Sequence, residues 1–224
     1  MFCESLKQLF PKYKLSYCRN QISITESSSD SKVKSVIWDD SCFQYIDSTI
    51  VKELTSFFQK SGSSPIFHLD CDGIILFEED GQKYMFLTEL KSTFDSKDIS
   101  HAKDQIISSY IKFNMILNLV DFYNKEDYIV KGFIACLPYN KQYIRDLYRE
   151  QMLPSKNKIC EESSLVLNFC YGNPKKRINY DISSYSLISQ LPIFNNGCLK
   201  NMEMYLIEVP EGASSVKLNV HNYI

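Results

Sequence analysis

From Asp47 to Leu137 the apolar residues switch repeatedly between helical and strand spacing, and the order of those switches limits the fold more than any other feature. Ile50, Val51, Leu54, Phe57 and Phe58 recur at helical spacing between Asp47 and Lys60. Ser61-Gly-Ser-Ser-Pro65 stops that helix. Ile66 to Glu79 is strand-like, centred on Gly73-Ile-Ile-Leu-Phe77. Glu79-Asp-Gly-Gln82 contains an Asp-Gly hairpin signal, and Lys83 to Lys91 is the return strand. Asp98 can cap a long helix from about Ile99 to Phe122, with Ile106, Ile107, Tyr110, Phe113, Leu117 and Val120 on one stripe. Tyr128 to Leu137 is a strand of the buried kind, ended by Pro138. A hairpin followed by a helical crossover into another strand predicts an α/β fold, a mixed central sheet with helices packed on it.

The flanks are less regular. Gln21-Ile-Ser-Ile-Thr25 and Val33 to Trp38 alternate as strands around a Ser-rich tip at Ser27 to Lys32. Lys141 to Gln151 reads as a short basic helix and Ser164 to Tyr171 as a strand. Met202 to Val209 and Ser215 to Val220 read as late strands, and Pro210-Glu-Gly-Ala213 fits a hairpin between them. No repeat and no long linker divides the 224 residues, so one domain is expected, with its core at about 45–137 and additions at 1–44 and 138–224. No run approaches a membrane span, and Met1 to Leu15 lacks the apolar core of a signal peptide. The eight cysteines include no Cys-x-x-Cys pair and no zinc spacing with His. They are expected to be reduced and mostly structural, in a soluble cytoplasmic protein.

The chemistry gathers at Asp70-Cys-Asp72-Gly73, Glu89-Leu-Lys91, His101 and Gln105. Residues two apart on a strand face one side, so Glu89 and Lys91 project together, and hairpin pairing can bring Asp72 beside Glu89. Adjacent buried carboxylates repel unless something compensates. A hard divalent cation does so, and Mg²⁺ suits a site with few carboxylates and many waters. A neighbouring lysine can hold an attacking water and offset charge growing on a phosphoryl group.

This layout resembles the PD-(D/E)XK nuclease superfamily, whose restriction-endonuclease-like core carries an Asp and a Glu-x-Lys on successive strands after a helix. The match is Asp72 in Asp72-Gly-Ile-Ile-Leu76, Glu89-Leu-Lys91, and the helix-strand-strand-helix-strand order around them. Cys71 stands where the family carries a proline. The resemblance implies Asp72, Glu89 and the Leu90 backbone carbonyl as ligands of Mg²⁺, with Mn²⁺ as a substitute. It implies Lys91 on the hydrolytic water and Gln105 steadying water or phosphate from the following helix. Glu53 is the candidate for the Glu some members carry on the preceding helix. Asp70 is the alternate or supporting ligand, and His101 shares the Gln105 face. The activity implied is endonucleolytic phosphodiester hydrolysis, chiefly of DNA, in settings such as restriction, antiviral defence or repair.

Plainer readings stand beside these. Glu89 and Lys91 also fit a solvated ion pair on an edge strand, and Asp72-Gly73 an ordinary turn. Glu53 and His101 also read as surface residues. Lys175, Lys176 and Arg177 form a basic cluster that fits either a solvated face or a nucleic-acid contact. With 25 basic and 27 acidic residues, the net charge of −2 gives no global attraction for a polyanion, which points to a homodimer or a partner subunit to deliver nucleic acid. A nuclease-like subunit without activity, used for nucleic-acid binding or complex assembly, is the alternative.

Overall fold

The computed structural model describes residues 2–13, 16–60, 62, 64–153, 160–172, 176–184, 186–189 and 198–224. The elements run α1 (Phe2–Leu9), β1 (Ser16–Thr25), β2 (Ser35–Asp47), α2 (Ser48–Leu54), α3 (Phe57–Lys60), β3 (Gly73–Glu79), β4 (Gln82–Lys91) and α4 (Ser96–Leu117). They continue with β5 (Tyr128–Cys136), α5 (Lys141–Met152), α6 (Glu161–Tyr171), β6 (Arg177–Asp181), β7 (Asn201–Glu208) and β8 (Ser215–Asn219). One mixed, open sheet holds eight strands in the order β1-β2-β3-β4-β5-β7-β6, with β8 paired to β2.

The β3–β4 hairpin turns on Asp80 and Gly81, both at positive φ (51° and 78°). That pair of angles matches the twist of the flanking strands, which is why Asp-Gly serves there. β4 then crosses through α4 to β5, which lies parallel beside it. β5 and β7 are also parallel, so Lys91, Cys136 and Glu208 stand in register at one end of the sheet. Apolar residues of alternating parity serve the two faces. Ile74, Leu76, Met85, Leu87, Ile134 and Leu206 meet Ile106, Ile107, Tyr110 and Phe113 of α4, with α1, α2, α5 and α6 adding to the same cluster. Ile75, Phe77, Phe86, Phe133 and Tyr205 face the other way. That second face is covered by the sheet's own edge: Trp38 of β2 lies 5.2 Å from Phe86 and 4.6 Å from Phe133. β2 reaches β5 in this way only because it bends; Asp40 sits at φ 75° between the half that pairs β8 and the half that pairs β3.

Four expectations need correction. Ser164–Tyr171 is helix, not strand; a short apolar run fits either period, and α6 buries Leu165, Val166, Leu167 and Phe169 among helices α4 and α5. β7 and β8 form no hairpin, because β7 lies between β5 and β6 while β8 pairs in parallel with β2. Asp95 rather than Asp98 caps α4, accepting from the amides of Lys97 (2.8 Å) and Asp98 (2.9 Å). The strand expected from Ile66 begins at Gly73, after a 3₁₀ turn at Pro65–His68. Among the described residues no helix is long and apolar enough to cross a membrane. Cys42, Cys71, Cys136, Cys160, Cys170 and Cys198 are free thiols.

Candidate active site

Gly73 pairs with Thr88, so the next step outward on the antiparallel ladder sets Asp72 opposite Glu89. Both carry the parity of Ile74 and Leu87 and therefore face α4. The Leu90 amide donates to Asp72 Oδ2 at 2.7 Å and fixes that carboxyl across the strand. Gly73 is required by close approach: a Cβ there would stand 2.9 Å from the Ile24 side chain and 3.1 Å from the Tyr45 ring.

Glu89 is only 2% exposed. Its Oε1 accepts from Lys91 Nζ at 2.7 Å, and its Oε2 is buried with no hydrogen-bond partner. Burial, and then the Asp72 charge, push its carboxyl up to about 8. Burial also pushes Asp72 up, to about 6, against the opposing pull of the Leu90 amide and Lys91. Both shifts run upward because the two carboxyls are taken out of water beside each other, with Lys91 as the cation bonded to Glu89.

Lys91 Nζ also donates to Gln105 Oε1 at 2.6 Å, and Gln105 Nε2 donates to the Asp70 carbonyl at 2.9 Å. Gln105 is thereby the bridge between the Glu-x-Lys strand and the segment leading into Asp72. His101, one turn earlier on α4, is exposed; partial burial and the Lys91 charge hold its imidazole below the usual value, against the pull of Asp104 and Asp98.

The other candidates lie elsewhere. Asp70 turns into the protein and pairs with the buried Lys112 ammonium, so it is not beside Asp72 as an alternate ligand. Glu53 is exposed and bonds Tyr13 and Lys12. Lys175 lies outside the described residues. Lys176 pairs with Glu208 at 2.5 Å, and Arg177 pairs at 2.8 Å with Glu203, a carboxylate it shares with Lys131. Of the two, Lys176 stands nearer the candidate centre, since Glu208 is two strands from Lys91, roughly 10 Å.

Two groups had no motif to announce them. Half-buried Glu26 at the β1–β2 tip acts electrostatically on both Asp72 and Glu89. The same tip reaches the residue after Lys91, where Ser31 Oγ lies 2.8 Å from Ser92 Oγ and the Lys32 amide donates to that hydroxyl at 2.8 Å. Lys112 was legible only as a charge interrupting the apolar stripe of α4.

Among the described residues no group of three or more His, Cys, Asp and Glu side chains gathers at metal-binding distance. The pair Asp72 and Glu89 nonetheless fits a hard divalent cation: a half-buried and a buried carboxyl face one lysine, and one Glu89 oxygen lacks a protein partner. The Leu90 carbonyl would complete the protein's share. No protein-family profile, no curated protein and no solved structure matches the chain.

Proposed function

We propose that the chain is a Mg²⁺-dependent nuclease that hydrolyses phosphodiester bonds, most naturally those of DNA. One observation supports this reading above the rest. Half-buried Asp72 and buried Glu89, whose Oε2 is unsatisfied, adjoin a lysine held between Glu89 and Gln105. A solvated ion pair on an edge strand would have neither the burial nor the second carboxyl.

Bound Mg²⁺ would supply a Lewis acid for the phosphoryl oxygens and a lowered pKa for an attacking water. Asp72 and Glu89 would hold the ion. Lys91 has three N–H bonds, two of them directed at Glu89 and Gln105. The third is left for the water or for the charge that grows on phosphate. Gln105 would set the direction of that third bond by fixing the ammonium. His101 stands at the Lys91 side, where an imidazole can meet a phosphate oxygen.

A plasmid-cleavage assay with and without Mg²⁺, run beside Lys91→Ala, tests the reading. Cleavage that needs the ion and falls with the variant is expected. A parent protein that binds nucleic acid without cutting it would favour an inactive nuclease-like subunit instead.

A further inference from the structure

We infer that Lys112 is a positioning residue for the Asp72–Glu89 centre, acting through the Phe67–Cys71 segment; the inference rests on the metal-dependent reading above. The segment runs from the end of the 3₁₀ turn almost to β3, and it directs several backbone groups to the side chains of one helix instead of to a neighbouring strand. Gln105, Ser108, Ser109 and Lys112 occupy one stripe of α4. Gln105 Nε2 donates to the Asp70 carbonyl at 2.9 Å, and Ser108 Oγ to the Leu69 carbonyl at 2.7 Å. Ser109 Oγ accepts from the Cys71 amide at 2.7 Å. Lys112 Nζ donates to the Leu69 carbonyl at 2.6 Å, to the Phe67 carbonyl at 3.4 Å and to the Asp70 carboxylate.

An ammonium has three N–H donors, and here three acceptors converge on it. The Lys112 side chain is 1% exposed. Burying such a pair adds little net stability over an apolar pair of the same shape, yet it holds the partners in one arrangement. The arrangement matters because Asp72 follows the anchored segment directly. The helix that holds the segment also presents Gln105 to Lys91. One helix therefore sets both the path into the first carboxylate and the direction of the lysine. Without Lys112, the Asp70 carboxylate would be left without its cation, the segment would move to hydrate it, and Asp72 would move with it. A cation held by two carboxylates and a carbonyl has no spare ligand to absorb that movement.

Calorimetric titration of the full chain with Mg²⁺ and with Mn²⁺, without nucleic acid, tests the inference, with thermal melts of every variant. Lys112→Met should weaken cation affinity by roughly 10- to 100-fold, the usual effect of losing a group that orients a ligand. Asp70→Asn should weaken it several-fold in the same direction. Lys131→Met is the control, because it also removes a largely buried ammonium, held by Glu203 and the Tyr223 carbonyl. It should melt lower while binding the ions as the parent does. Parental affinity in folded Lys112→Met overturns the positioning role, as does an equal loss in Lys131→Met. If Lys112→Met does not fold, Asp70→Asn decides, and unchanged affinity there overturns it. A parent that binds neither ion overturns the metal-dependent reading itself, and that result is seen before any variant is compared.

Discussion

Burial, and then the Asp72 charge, push the Glu89 carboxyl from 4.5 up to about 8. A carboxyl that binds its proton more tightly folded than unfolded adds stability at low pH and withdraws it as pH rises through the folded value. The metal-free protein should therefore lose stability between about pH 4.5 and pH 8, with Asp72 contributing over the lower half of that window. Glu89→Gln should flatten the trend and leave the metal-free protein ~1–3 kcal/mol more stable at pH 8, since one pKa unit is about 1.4 kcal/mol. Urea denaturation across that range measures this, and a variant whose curve parallels the parent's would mean the Glu89 carboxyl titrates as if in water. Lys91→Ala separates chemistry from binding: Mg²⁺ titration should stay close to the parent while cleavage slows roughly 10²-fold or more, the scale of losing one transition-state donor. Asp72→Ala should remove both together. Gly73→Ala would force a methyl against Ile24, which is fully buried, and Tyr45. A loss of ~1–3 kcal/mol is expected by chemical denaturation, the range for overpacking a filled core.

At the scale of elements, the β3–β4 hairpin and the α4 crossover were legible because each carries its own punctuation. Asp80 and Gly81 take the positive φ angles that an Asp-Gly turn requires, and a long stripe repeats along α4. Asp95→Ala should cost ~1 kcal/mol, because two α4 amides lose their acceptor; a thermal melt equal to the parent's would show water replacing the cap without loss. The helix α6 carries no such signals. Its apolar residues crowd into Leu165–Phe169, and the elements packed beside it, chiefly α4 and α5, decide its period. The same limit applies at the candidate centre. Asp72, Glu89, Lys91 and Gln105 follow from strand parity and one helix register, whereas Asp70 does not. Its parity matches that of Asp72, but it precedes the strand, and Lys112, more than forty positions away, turns it inward. Glu26 was equally hidden, since its place depends on where a Ser-rich hairpin folds.

For the whole molecule, α5 offers exposed basic charge beyond that of Lys176 and Arg177. Lys141 and Arg145 are exposed on adjoining turns, without an acidic partner among the described residues. α5 follows the C-terminal end of β5, and Tyr143 Oη accepts from the Ser96 amide at 2.9 Å, tying the helix to the start of α4. Replacing Lys141 and Arg145 with Ala should lower the salt slope of nucleic-acid binding by up to ~2, one per lost phosphate contact. Arg177→Ala, already paired with Glu203, should leave it unchanged; the reverse pattern would return the contact surface to β6. The bend in β2 carries a consequence for synthesis. Its first half is bordered by β1 on one side and by β8 on the other, so Ser35 waits for Ser215. A nascent chain can assemble the β3–β4 hairpin, α4 and β5 while that border is still bare, and a bare strand border invites pairing with a neighbouring chain. Arrest of translation before Ser215 should thus yield a product that self-associates, with the candidate centre's own strands already folded.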